Sequence, residues 1–137
     1  MATGTAGSAA RKYHQAMVHY LRKTVGFGDD DVEVTVGTIP AGASVIGGGV
    51  HVTTAFVGGS PVLDVGFKDG SSTDDPNAYA TLLDISGVGY IVLDELAATT
   101  NIQQTVDHLV TATVSSGSTI TAGAADVIVT YVVDNDM

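Results

Sequence analysis

The side chains here that can do chemistry are four histidines, fifteen carboxylates and many serines and threonines; cysteine and tryptophan are absent. Without cysteine, disulfides and thiolate metal sites are excluded, and the redox compartment stays open. His14 and His19 are five residues apart, about 140° around a helix, so they cannot share a metal within one helix. His51 and His108 fall on predicted strands, and nothing in the sequence supports a contact between them. All four read as scattered histidines. Asp29-Asp30-Asp31 and Asp74-Asp75 carry oxygens suited to Ca²⁺, but neither fits the twelve-residue EF-hand loop with its terminal glutamate. They read as turn-forming acids. No Gly-x-Ser-x-Gly elbow stands at a strand–helix junction. Gly47-Gly48-Gly49 is no phosphate cradle, because no GxxxxGK[ST] occurs and no helix follows. Paired-carboxylate hydrolysis depends on a separation that spacing along a chain does not define. No catalytic constellation emerges, and no cofactor or metal is expected.

A binding role is better supported. Arg11, Lys12, Arg22 and Lys23 are four of the five basic residues, and all fifteen acids follow them. Residues 1–28 therefore carry +4 and residues 29–137 carry −14, giving the chain its −10. Ser8 is a plausible N-cap, and the spacing predicts a helix over 9–24 that ends near Gly26. On that helix Tyr13, Met17, Tyr20, Leu21 and Thr24 share a face, while Arg11, Lys12, Arg22 and Lys23 lie opposite. A lone helix of this length is marginal in water and needs a surface to lie on. The expected partner-binding residues are thus Arg11, Lys12, Tyr13, Met17, Tyr20, Leu21, Arg22 and Lys23. Four charges are thin for nucleic acid, and the acidic body repels phosphate, so nucleic acid is not an expected partner.

The elements behind these residues divide at the aspartates into a basic arm with a helix (1–28) and a body (29–137). No apolar signal region opens the chain and no run of about 18 apolar residues occurs, so a soluble protein made in a cytoplasm, with no membrane partner, is expected. In the body Val32, Val34 and Val36 alternate with Glu33 and Thr35, as in a strand with one wet face. Ile39–Ala43 is a turn. Ser44–Phe56 is a strand interrupted at Gly47–Gly49, where a bulge or a close backbone is expected. Pro61–Phe67, Gly89–Leu93, Val106–Val114 and Ala124–Val133 follow as strands, and Asn77–Asp84 reads as a helical turn or crossover. The last strand is apolar on both faces, which fits either a central strand or a subunit interface, with the interface favoured. Roughly six to eight short strands without a βαβ rhythm predict a mainly β protein: an antiparallel β-sandwich, jelly-roll or immunoglobulin-like.

From Val34 to Val133 the order of segments resembles small β-sandwich virion proteins of tailed bacteriophages, the head decoration or cement proteins and their relatives on fibres and spikes. The likeness is carried by Val36-Gly37-Thr38-Ile39-Pro40-Ala41-Gly42-Ala43, then Gly49-Val50-His51-Val52-Thr53-Thr54-Ala55-Phe56, then Val62-Leu63-Asp64-Val65-Gly66. Ala112-Thr113-Val114 and Thr121 through Tyr131 complete it. Each phrase is of low specificity, and the N-terminal helix has no counterpart in the pattern. The resemblance implies a jelly-roll-like sandwich without enzymatic activity, assembled as a homotrimer on the capsid surface with the major capsid protein as partner. In that setting the basic segment docks on acidic capsid surface, and removing residues 1–28 is expected to abolish binding while leaving a folded body. Two rivals belong to other classes: a fibre, spike or tail-associated adhesin holding a host glycan, and a small β-sandwich hydrolase or lyase. The second has no residues to support it, and a glycan platform lacks tryptophan.

Overall fold

In a computed structural model the described residues are 17–70, 74–100 and 102–133. They form two four-stranded antiparallel sheets. In chain order the strands are β1 (Val18–Gly26), β2 (Glu33–Ile39), β3 (Ser44–Val57), β4 (Val62–Lys68), β5 (Asp75–Asp84), β6 (Gly89–Val92), β7 (His108–Ser115) and β8 (Ala122–Val132). Sheet one runs β1-β8-β3-β6, and sheet two runs β2-β7-β4-β5. The chain passes between the sheets at nearly every connection; only β4 and β5 are consecutive neighbours in one sheet. The only helical element among the described residues is a single 3₁₀ turn at Phe27–Asp29.

Period-two alternation explains why these segments pair. In β3 Val50 and Val52 are fully buried, whereas His51 between them is exposed. Val127 and Val129 in β8 and Leu63, Val65 and Phe67 in β4 do the same from their strands, and together they fill the space between the sheets. The Pro40–Ala43 turn closes with an Ala43 N–H donating to the Pro40 carbonyl at 3.2 Å, and Gly42 supplies the positive φ of 82°. Gly47–Gly49 is irregular as expected: the register with β8 shifts between Val45 and Gly47. At Gly48 φ is 132°, and the strand runs so close to β8 that a Cβ would strike the Ile128 carbonyl.

Two expectations are corrected. The helix over 9–24 does not form where the structure describes it. Val18–Gly26 is a nine-residue strand paired with β8 from Val18↔Val132 to Gly26↔Ala124. The remaining part, with Arg11, Lys12 and Tyr13, lies outside the described residues. Tertiary pairing overrides local propensity here: β8 offers an open edge, and Val25 fills a fully buried core position. The segment before the aspartates thus contributes a strand to the sandwich. Second, Asn77–Asp84 is not a helical turn but most of β5, paired with β4. Its start lies directly over Gly66, where a Cβ would clash with the Asp75 carbonyl, and Ala78, Tyr79 and Ala80 are all buried in succession. Burial, with Asp75 adding to it, pushes the Tyr79 phenol far above its ordinary value. The apolar last strand lies inside its sheet between β1 and β3, one of the two placements its sequence fits. Val127 and Val129 face the core, and Ile128, Thr130 and Val132 lie half-buried on the outer side.

Candidate binding surface

The register across sheet one places residues far apart in sequence in rows on its outer side. One row is Tyr20, Thr130 and Gly47; the next is Arg22, Ile128, Gly49 and Val92; the third is Thr24, Asp126, His51 and Tyr90. Val18 and Val132 close the face at the end next to Ser44. Tyr20, Tyr90, Val92 and Val18 are exposed by 58–66%. The glycines keep the floor low. A Cβ on Gly49 would come within 2.5 Å of the Tyr90 ring, so that ring lies down over the glycine backbone. Ile46 stands exposed at the neighbouring bulge.

One polar cluster crosses this face. The Arg22 guanidinium donates to Asp126 Oδ2 at 2.6 Å, and the Thr24 hydroxyl donates to Oδ1 at 2.6 Å. These two donors, Thr24 first, hold the Asp126 carboxyl below its ordinary value against the opposing effect of burial, and His51 adds to the lowering. An aspartate in an unfolded chain titrates near pH 3.9. The folded value is lower, so the cluster contributes its full stability above about pH 3.9 and loses it as pH falls through the folded value. Thermal melts in a series of acid buffers are therefore expected to show a steeper loss of Tm for the natural protein than for Asp126→Asn. Parallel curves would remove Asp126 from the account.

The residues expected to bind a partner are divided by the strand. Tyr20 and Leu21 do not share a face: Tyr20 points outward, whereas Leu21 is half-buried, packs on the core and meets β2 at Gly37, where a Cβ would sit 2.8 Å from Leu21 Cδ2. Arg22 joins Tyr20 on the outer side. Lys23 is exposed at the edge, and Met17 is exposed just before β1. Arg11, Lys12 and Tyr13 lie outside the described residues. Sequence reasoning missed Tyr90 and Val92 as members of this surface, whereas Ile128 belongs to the strand whose two apolar faces marked it as a candidate interface. The signal available was the alternation of Gly49, His51 and Thr53 opposite a strand with two apolar faces.

The other candidates for chemistry are structural. His19 stacks on Tyr131 with centroids 5.5 Å apart. His51 and His108 lie in different sheets, and His108 is buried edge-on against Phe67, with Nδ1 3.3 Å from the Val106 carbonyl. Asp29 accepts from the Gly26 N–H, and Asp74 accepts from the Asp69 and Gly70 N–H groups, so these acids hold turns. No group of three or more His, Asp or Glu among the described residues is placed to hold a metal ion. A cleft of about 630 Å³ is lined by Phe56 to Val62 with Asp84 and Ser86. Its polar pair is self-satisfied, with the Ser86 hydroxyl donating to Asp84 at 2.6 Å. A second, of about 390 Å³, has Lys68, Asp107 and His108 in its wall. There Lys68 is paired with Glu33, and Asp107 accepts from the Ala41 N–H. No helix among the described residues is long and apolar enough to cross a membrane.

The sandwich is similar to chains in three solved phage structures. One belongs to the acidic stable capsid structure of Helicobacter pylori bacteriophage KHP30, with a TM-score of 0.64 at 16% identity over 85% of this chain and 88% of that one. Another is in the capsid of Ralstonia phage GP4, at 0.63 and 16% identity over 88% and 85%. The third is in the capsid asymmetric unit of cyanophage Pam1, at 0.60 and 23% identity over 88% and 87%. What is shared is the fold. No protein-family model and no curated protein matches the sequence.

Proposed function

We propose that this chain is a structural protein of a bacteriophage virion that decorates the capsid surface, bridges neighbouring major capsid protein subunits and stabilises the shell as a homotrimer. The observation that carries the reading is the fold likeness, over 85% or more of the chain, to chains in three phage capsid structures. The strand order supports it: β1-β8-β3-β6 over β2-β7-β4-β5 is that of an eight-stranded jelly roll, an architecture that viral capsid domains use. The role is structural rather than catalytic. Many weak contacts on a lattice act together at high effective concentration, which suits a small chain with a modest contact surface. Arg11, Lys12, Tyr13 and Met17, which lead into β1, with Lys23 at its edge, are the residues assigned to docking on the capsid. Charge steers that approach, and the aromatic and apolar groups fix it. The acidic remainder faces outward and keeps particles dispersed.

The test is co-sedimentation of the purified chain with capsid shells of its phage, together with the melting temperature of those shells. Saturable pelleting and a raised shell transition are expected, both lost on changing Arg11 and Lys12 to glutamate. Failure to bind shells, with saturable binding to host glycan or to tails, would replace this reading with the adhesin.

A further inference from the structure

We infer that the outer face of sheet one is the contact between copies of this chain: it lines the three-fold axis, with the β1 side of one copy against the β6 side of the next. This rests on the trimer reading and names the surface that makes it. Charge favours this face. Two chains of net charge −10 repel, and they can meet closely only where carboxylates are absent or neutralised. Asp126 is the only carboxylate in the four strands of sheet one, and Arg22 and Thr24 both hold it. Sheet two differs. Its outer side carries Glu33 and Asp64, and β5 begins and ends with Asp75 and Asp84. The neutral face is also the apolar one.

The composition of the face favours it too. Tyrosine and arginine are the side chains most often found as anchors in protein contacts. Tyr20 and Arg22 stand on the β1 side; Tyr90 and Val92 stand on the β6 side, beyond the low floor of Gly47 and Gly49. Three slabs arranged about an axis with this face inward touch their neighbours near the two edges, not across the middle. Each copy then offers Tyr20 and Arg22 to one neighbour, and Tyr90 and Val92 to the other. The contact is heterologous, and a rotation of one third of a turn closes it. Arg22 over the Tyr90 ring of the next copy would add a cation–π contact.

Size sets the strength. Nine residues in each of three strands and four in β6 make a face of roughly 500 Å², below the ~800 Å² per partner of a standard interface. The trimer is therefore expected to dissociate on dilution and not to be weakened by salt, because the buried face is neutral and salt screens the repulsion between the chains.

Native mass over a concentration series tests this, on the full chain and on three single variants at exposed positions. Tyr20→Glu and Val92→Glu lie at the two edges of the face; Leu82→Glu, on β5 of sheet two, is the control. The natural protein and Leu82→Glu are expected to reach about 42 kDa, three times the 13.9 kDa chain, at low and high salt alike. Tyr20→Glu and Val92→Glu are expected to remain at 13.9 kDa, with the thermal transition that the natural protein shows when diluted to monomer. Trimers of all four chains would overturn the assignment of the face, as would loss of the trimer in Leu82→Glu. A natural protein that stays monomeric at its highest soluble concentration would overturn both trimer and face. The capsid reading stands or falls separately, on co-sedimentation.

Discussion

Deleting residues 1–26 is expected to abolish cooperative unfolding, whereas deleting residues 1–16 is expected to leave the thermal transition within a few degrees of the full chain. The longer deletion removes all of β1, which is in register with β8 over nine residues. It also takes Val25 from the core and both donors from Asp126. What remains is β8 with a bare, apolar edge, the kind of edge that pairs with other chains and aggregates. The shorter deletion touches none of these contacts. Circular dichroism melts of the two truncations are sufficient to check it. A 27–137 fragment melting cooperatively at the temperature of the full chain would mean that β1 is not part of the sandwich. The practical consequence is that a test of the basic segment must cut before Met17; a cut at residue 28, which the charge boundary suggests, confuses loss of docking with loss of fold.

Gly48→Ala is expected to destabilise the protein by about 3 kcal/mol or more, because two penalties fall on one atom. The backbone φ of 132° is one that side chains rarely adopt. The added Cβ would also strike the Ile128 carbonyl and lie 3.0 Å from Val129 Cα, on the central strand of the sheet. β8 is held on both sides and cannot retreat. For a domain of this size the loss corresponds to a fall in Tm on the order of 10 °C. Gly28→Ala is the internal control, since nothing lies within 4 Å of its Cβ position. Equal melting temperatures for the two variants would show that β3 and β8 are not so closely apposed.

The sequence made β2, β3, β4, β6, β7 and β8 legible because each alternates or runs apolar in its own residues and is bounded by turn residues, such as Pro40–Gly42. The Gly47–Gly49 irregularity was legible for the same reason. β1 was not. Alanine, arginine, lysine, methionine and leucine before Gly26 favour a helix, and Tyr13, Met17, Tyr20 and Thr24 are spaced as if on one. Val18, Thr24 and Val25 favour a strand, but the deciding partner, β8, is about a hundred positions away; Arg22 and Asp126 are 104 apart. β5 misleads similarly, since Ala78, Ala80, Leu82 and Leu83 read as helical until Gly66 lets their strand fold over it. The surface follows from the same gap. Tyr20 and Arg22 were visible as candidates, but on a helix they lie far apart and on a strand they lie side by side. Tyr90 and Ile128 became their neighbours only through the register of β8 and β3, which no local pattern encodes.

The most direct measurement is a cryo-electron microscopy reconstruction of virions of a phage carrying this gene, with the chain located in the density. The account predicts eight-stranded sandwiches on the outside of the shell at symmetry-related positions, grouped in threes, with sheet one turned toward each three-fold axis and the chain before β1 reaching the capsid. A shell without this chain, or the chain confined to the tail or fibres, would contradict it.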